Sequence, residues 1–443
     1  MRTIDLRGRT LSPAELLAAV PRATAARAAA LHAAADIVED VRTRGEESLR
    51  EQAERFDRVA GHAIRVPAEH IAEAVDGLDP TVRAALEESI RRVRAASAAQ
   101  VPEPRVTQLG PGARVTQRWQ PVARVGVYVP GGKAVYPSSV VMNVVPAQVA
   151  GVASIALASP PQAEFGGRVH PTILAAAGLL GVTEVYAMGG AGAIGALAYG
   201  VASLGLDPVD VVTGPGNNFV AAAKRAVAGV VGTDSEAGAT EILIVADETG
   251  DARLIAYDLV SQAEHDEQAS AVLVTTSAEL AEAVDRAVDE VAAATRHRER
   301  VAAALAGEQS AIVLVDDAAA AEAFSNAYAP EHLELHLADA AAAAARYTSA
   351  GALFIGPYAP VSLGDYLAGS NHVLPTGGQA RYAAGLGAAT FLRAQQLIEY
   401  DRAALAEVRD GIVALSSSEA LPAHGEAVLA RFPAPGGAAG TDA

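Results

Sequence analysis

Gln262 and His265, in the segment Ser261-Gln262-Ala263-Glu264-His265-Asp266-Glu267, have the side chains and the spacing for metal chemistry. Residues three apart on a helix point to the same side, so an amide oxygen and an imidazole there can meet one ion. The helix that would carry them starts near Asp251 and runs through Leu254, Ile255, Leu259 and Val260, which puts the pair at its C-terminal end, where a site can open. Taken alone, a solvated helix face explains the pair better. Three further clusters in loop-like contexts shift that balance: Glu331 with His332, Asp365 with His372, and Glu419 with His424.

The chain has no cysteine, which excludes disulfides, thiolate-ligated zinc and a thiolate nucleophile together. Any metal must be held by nitrogen and oxygen. An aldehyde could not be oxidised through a cysteine thiohemiacetal, so water would have to add to the carbonyl. A net charge of -18 without a Lys/Arg-rich run leaves no footprint for nucleic acid. The N-terminus lacks the charged-then-apolar pattern of a secretory signal. The long uncharged stretch 140–161 is broken by Asn143, Pro146, Gln148 and Gly151, which argues against a membrane span. A cytoplasmic small-molecule enzyme fits these bounds.

The elements that must position such clusters come next. With 443 residues, 51% of them hydrophobic, the chain can bury more than one core. Ala/Arg/Glu patterning predicts helices over 23–49 and 80–99. From Val122 short apolar runs alternate with helical stretches: 125–129, 154–158, 184–188 and 209–212, and then again 241–245, 271–274, 311–315, 333–335 and 352–355. Strands separated by helices imply parallel sheets with right-handed crossovers. The fold class is α/β, with two Rossmann-like units in series that suggest an internal duplication. Helices are expected over 391–400 and 405–415, and the Pro/Gly/Ala tail 433–443 is expected to be disordered. His336 reads as an outward residue of an alternating strand.

In doubly wound sheets ligands bind beyond the C-terminal strand ends, so the glycine-rich loops 128–133, 189–195 and 213–218 are candidate phosphate cradles. The second spells G-x-G-x-x-G at Gly190, Gly192 and Gly195. The acidic residue expected about 20 positions on is not evident, since Asp207 and Asp210 come early. Tight helix–strand packing is the competing explanation for these glycines.

The runs Arg124-Val125-Gly126-Val127-Tyr128-Val129-Pro130-Gly131-Gly132, Thr213-Gly214-Pro215-Gly216-Asn217, Ser261-Gln262-Ala263-Glu264-His265, Ala329-Pro330-Glu331-His332-Leu333, Gly364-Asp365-Tyr366, Gly369-Ser370-Asn371-His372-Val373-Leu374-Pro375 and Leu421-Pro422-Ala423-His424 resemble those of histidinol dehydrogenases, in the same order. The resemblance implies a homodimeric zinc enzyme that oxidises L-histidinol to L-histidine through L-histidinal with two NAD, in histidine biosynthesis. It implies Gln262, His265, Asp365 and His424 as zinc ligands, His424 being supplied by the neighbouring subunit. Such a mixed N/O set leaves room for an imidazole-plus-amine substrate.

Glu331 and His332 match the family's acid–base pair. The alcohol proton needs a base as hydride leaves carbon, and an imidazole suits that task at physiological pH. His332 is the candidate, with Glu331 activating water for the aldehyde step. Neighbours in an extended segment point to opposite faces, so the pair requires a turn, for which Pro330 is placed. The resemblance also implies a histidinol site lined by Thr240, Gln262, His265, His332, Asp365, Glu419 and His424, with Glu419 pairing with the substrate's cationic groups. Tyr128, Gly192 and Asn217 match cofactor-contacting positions, and His372 belongs to the surroundings.

On this reading residues 1–120 are an N-terminal helical extension and lead-in, and 121–236 a first Rossmann-like domain on the cofactor side. Residues 237–380 form a second one carrying the metal and catalytic residues, and 381–443 a C-terminal helical dimerisation arm. Two positions depart from the family pattern. Gly192 replaces a usual glutamine, removing a side-chain contact to the cofactor, and Ala239 replaces a proline. A zinc/NAD dehydrogenase of another small polar alcohol, such as a sulfonated diol, and a non-catalytic zinc- or nucleotide-binding relative are the alternatives. Glu419 speaks against an anionic sulfonate.

Overall fold

The computed structural model describes residues 1–22, 25–131, 135–236 and 238–432. Residues 132–134 of the first glycine-rich loop and the tail 433–443 therefore lie outside the described residues. The strands, in chain order, are β1 (Thr3–Asp5), β2 (Arg105–Gly110), β3 (Ala113–Pro121), β4 (Arg124–Tyr128), β5 (Ser154–Ser159), β6 (Val185–Ala187), β7 (Val211–Thr213) and β8 (Gly232–Thr233). They continue with β9 (Glu241–Ala246), β10 (Ser270–Thr275), β11 (Ala311–Leu314), β12 (His332–His336), β13 (Ala352–Ile355) and β14 (Leu392–Tyr400).

The chain divides into two compact units, residues 1–101 with 121–391, and residues 102–120 with 392–443. The larger unit holds both parallel sheets. The first has the order β6-β5-β4-β7-β8 and the second β1-β11-β10-β9-β12-β13. Apart from β1 the two orders are the same, with the first-formed strand of each in the middle and the next two stacked on one side. This is the doubling that the alternating sequence texture predicts.

Burial explains why the strands read as continuous apolar runs. All six residues of β9 and all six of β10 are buried, as expected of parallel strands covered on both faces. Ile242, Ile244 and Leu273 pack toward the helix Ala252–Ala263, while Leu243, Val245 and Val272 face the helix Ala318–Tyr328. His336 is likewise buried, not outward, because β12 lies between β9 and β13 and has no solvent face. Asp251 caps the Ala252–Ala263 helix, accepting from the Arg253 and Leu254 amides at 2.8 and 3.3 Å, which fixes where Gln262 and His265 emerge.

The N-terminal residues 3–5, read as lead-in to helices, instead pair with β11 as an edge strand. Downstream the expected helices appear at Ala25–Arg44, Glu46–Gln52 and Pro80–Gln100.

In the smaller unit the segment 391–400, expected to be helical, is mostly strand β14, beside β3 in the order β14-β3-β2. Cross-strand partners outweigh its helix-forming residues: Arg114 makes a two-pronged ion pair with Glu399 at 2.7 Å on each arm, and Arg118 donates to Gln395 at 2.8 Å. The helices Arg402–Ser418 and Pro422–Leu429 follow. Among the described residues, no helix is long and apolar enough to cross a membrane.

Candidate active site

The residues singled out in the second sheet converge on the N-terminal ends of its strands. Thr240 directly precedes β9, Glu331 directly precedes β12, and His332 is the first residue of β12. The helix Ala252–Ala263 runs back across the sheet and delivers Gln262 and His265 to the same edge. The chain turns into the Glu331-His332 segment at Ala329, whose φ of +50 ends the preceding helix, one residue before the proline expected to do so.

One residue organises the pair. The backbone N–H of Glu241 donates to Glu331 Oε2 at 2.9 Å, and its carbonyl lies 3.0 Å from His332 Nδ1. A carbonyl can only accept, so Nδ1 carries a proton, and in the neutral imidazole it is Nε2 that has the lone pair. Glu331 and His332 are 7% and 4% exposed. Burial pushes the Glu331 carboxyl up to about 7, against the opposing pull of His332 and the Thr240 hydroxyl. A carboxyl poised there can exchange a proton at physiological pH.

The metal reading can be tested on Gln262. Its Nε2 donates to Thr240 Oγ1 at 2.6 Å, and Thr240 Oγ1 donates in turn to Glu331 Oε2 at 2.6 Å. This fixes the amide and leaves Oε1 as one of six buried side-chain polar atoms without a partner among the described residues, an arrangement that costs free energy unless something else pairs with it. An oxygen donor held this way fits a cation. Burial lowers the His265 pKa, and Asp365 and His332 lie within electrostatic reach of it. Asp365 closes the short helix Val361–Tyr366, and its carbonyl lies 3.0 Å from His372 Nδ1. Gln262, His265 and Asp365 offer the nitrogen and oxygen donors that a mixed N/O site would use, with Asp365 and His332 both acting on the His265 charge. The fourth implied ligand, His424, is exposed in the first turn of the Pro422–Leu429 helix, and Glu419 is the exposed C-terminal cap of the helix before it. Both belong to the smaller unit.

Another group of possible donors, Asp258, Glu334 and His336, has its ligand atoms within 4.8 Å of one another. It lies apart from the implied set, along the same face of β12 toward its C-terminal end. His336 Nε2 is 3.3 Å from Glu334 Oε2, and the Val361 amide donates to Glu334 Oε1 at 2.9 Å. Burial and then the Glu334 charge push Asp258 up to about 8, so Asp258 keeps its proton and stays neutral beside Glu334.

The first sheet offers its C-terminal edge instead. Tyr128 ends β4, and its hydroxyl accepts from the Gly190 amide at 3.1 Å; burial pushes this phenol up to about 12. Asn217 caps the helix Asn218–Ala226, accepting from the Phe219 and Val220 amides at 3.0 and 3.2 Å. Gly214, at φ +119, sits where a Cβ would overlap the Tyr128 carbonyl. Its amide donates to Asp234 at 2.9 Å, and Asp234 is ion-paired with the buried Lys224. This edge carries fixed, glycine-lined backbone at the strand ends where open α/β sheets take ligands.

Gly192, in the first turn of Gly190–Tyr199, has a packing reason: a Cβ there would overlap the Gln52 amide. The space of the missing side chain is filled by a glutamine from another helix.

The two edges meet through residues 371 and 372. His372 Nε2 lies 3.0 Å from Ser139 Oγ, and Asn371 Nδ2 donates to the Met142 carbonyl at 2.7 Å, both on the helix Pro137–Ala150 that follows β4. Sequence reasoning missed Ser139, Gln52 and Arg22, which lie in no recognisable motif, and the main-chain role of Glu241, which closes the segment Gly238-Ala239-Thr240-Glu241. The Ser270-to-Tyr328 contact beneath them, 2.9 Å between hydroxyls, was equally silent.

Comparison with known proteins gives one consistent result. The family model described as Histidinol dehydrogenase matches residues 20–432. The histidinol dehydrogenase of Leifsonia xyli subsp. xyli is 66% identical over 432 residues, 98% of this chain and 99% of the relative. That of Thermobifida fusca is 58% identical, with 97% of each chain covered. The crystal structure of histidinol dehydrogenase from Elizabethkingia anophelis superposes with a TM-score of 0.89 at 30% identity, covering 98% of both chains.

Proposed function

The chain belongs to the histidinol dehydrogenase family, and on that premise we propose where and how it oxidises L-histidinol to L-histidine through L-histidinal. The observation that carries the assignment is the main chain of Glu241, which holds both Glu331 and His332 beside a Gln262 oxygen left without a partner. Gln262, His265 and Asp365, with His424 of the partner subunit in a homodimer, would hold zinc, and Tyr128, Gly192 and Asn217 would border the NAD. When bound, zinc supplies a Lewis-acidic anchor for the substrate and NAD the acceptor for each hydride.

His332 Nε2 takes the hydroxyl proton of histidinol while hydride leaves its carbon, giving the aldehyde. Glu331 then takes a proton from water as its oxygen adds to the carbonyl, His332 returns its proton to the former carbonyl oxygen, and the gem-diol results. Loss of the second hydride, with His332 again accepting a proton, leaves the carboxylic acid of histidine, which ionises by releasing its remaining proton to solvent. Burial of both groups limits competing water. Thr240 steers Glu331 and Gln262 together, and Glu419, on the same arm as His424, pairs with the substrate ammonium. The enzyme works as a cytoplasmic homodimer on a small-molecule substrate.

The test is the number of NADH formed per L-histidinol consumed by zinc-loaded enzyme, with histidine identified as product. Two per substrate is the expected result. One, with histidinal released, would remove the assigned role of Glu331, and none would overturn the reading.

A further inference from the structure

Arg22 lies in the loop before the first long helix, outside every motif, yet its guanidinium reaches both the segment that carries the acid–base pair and the one whose main chain holds it. Toward one segment, Nε is 2.5 Å and Nη2 3.2 Å from the two carboxylate oxygens of Glu241. Toward the other, Nη2 donates to the Tyr328 carbonyl and the guanidinium carbon sits 3.9 Å over the Tyr328 ring. Tyr328 is the last residue of its helix, followed by the turn at Ala329 and by Pro330, Glu331 and His332. The Gly377 amide adds a third hold on Glu241 at 3.1 Å. The side chains of Arg22 and Glu241 are 16% and 4% exposed, so solvent screens the pair little.

We propose that Arg22 is the positioning residue of the acid–base pair: it clamps Glu241, whose N–H and C=O set the Glu331 carboxylate and the His332 imidazole, to the turn that delivers them. The inference rests on the proposed roles of Glu331 and His332. A planar, forked cation stacked on an aromatic ring suits the task, and a lysine cannot make both prongs. Arg22 touches neither member of the pair directly; its effect passes through Glu241 on one side and through the Ala329-Pro330 turn on the other.

The experiment measures the alcohol and aldehyde half-reactions of zinc-loaded Arg22→Gln and Arg22→Lys beside Glu331→Gln and His332→Asn. Displacing a catalytic group by about 1 Å costs ~10²-fold in rate. Arg22→Gln is therefore expected to lose ~10²-fold in kcat for both half-reactions, with KM for NAD and bound zinc unchanged. Arg22→Lys, which keeps the charge and most of the packing, is expected to fall between it and the wild type with an unaltered melting temperature. Should Arg22→Gln fail to fold, Arg22→Lys carries the test. A folded Arg22 variant with wild-type kcat overturns the inference, as does a loss that follows zinc content or NAD binding. If Glu331→Gln and His332→Asn are both as active as wild type, the reading of the pair itself falls. If those two fail as expected and the Arg22 variants do not, only the role of Arg22 falls.

Discussion

The first and second sheets share a strand order and present opposite edges to the chemistry. In the first, Tyr128, Gly190 and Asn217 stand at the C-terminal strand ends, where open α/β sheets ordinarily take ligands. In the second, Thr240, Glu331 and His332 stand at the N-terminal ends. The edge of the second sheet that corresponds to the first sheet's working edge carries Asp258, Glu334 and His336 drawn together, and Asp247 holds the Ala338 and Thr249 amides there. The lesson is that a duplicated topology does not duplicate the site. On the proposed assignment, the C-terminal edge of one copy would hold the hydride acceptor and the N-terminal edge of the other the group that gives the hydride up.

The sharpest test of this division is His332→Asn, which removes the base from the N-terminal edge. It should lower NADH formation by ~10³-fold while leaving NAD affinity, measured by quenching of the single tryptophan's fluorescence or by calorimetry, as it was. Loss of NAD affinity would mean that the two edges are not separate in role.

Thr240→Val breaks the relay between Gln262 and Glu331. A drop of ~10 to 10²-fold in rate with weakened zinc retention, read by metal content after dialysis against a chelator, is expected of a group that orients both a ligand and a base. Undiminished zinc retention would separate Gln262 from the metal.

Glu331 sharpens the comparison through pH. Its folded pKa is raised to about 7 by burial, so the carboxylate needed to activate water is the minor form below that pH and the major form above it. The aldehyde half-reaction should therefore rise through about pH 7 in the wild type and lose that limb in Glu331→Gln. An unchanged limb in the variant would assign it to another group.

On the first edge, Gly192→Ala forces the Gln52 amide aside. An increase of about 5-fold in KM for NAD, equivalent to ~1 kcal/mol, should be relieved in the double variant with Gln52→Ala. No change in KM would take the dinucleotide away from this edge.

The smallest effect belongs to the edge that is not used. Burial and the Glu334 charge raise the folded pKa of Asp258 from the ordinary 3.8 of an aspartate to about 8, so the unfolded chain loses that proton first and stability falls as pH rises from about 4 to about 8. Asp258→Asn does not titrate. Its melting temperature should exceed the wild type's by a margin that grows between pH 5 and 8, to about 2 °C, with activity unchanged; a margin constant with pH would break the assignment.

Much of this architecture was readable beforehand. The apolar runs of β4, β5, β9 and β10 and the cap at Asp251 leave little freedom in where Gln262 and His265 emerge. The choice of edge was not readable, because strand and helix periodicity say which residues share a face and nothing of which end of the sheet is open. His336 was misjudged for a related reason: Leu333-Glu334-Leu335-His336 alternates like a half-wet strand, and only its place between β9 and β13 makes both faces interior. Arg22 and Glu241 are 219 positions apart, and no local pattern announces a partnership at that range. Segment 391–400 turned on the same kind of distant information, since β3 lies nearly 300 residues earlier in its pairing of Arg114 with Glu399.

The bonds from Asn371 and His372 to the Pro137–Ala150 helix have a bearing on traffic. An enzyme that spends two dinucleotides on one substrate must change one guest while the other stays. Edges laced together by side chains do not part like jaws, so the spent nucleotide is expected to slip out along a standing wall. On the proposed assignment, the half-oxidised aldehyde would wait on the far side of that lacing, behind a wall with no hinge.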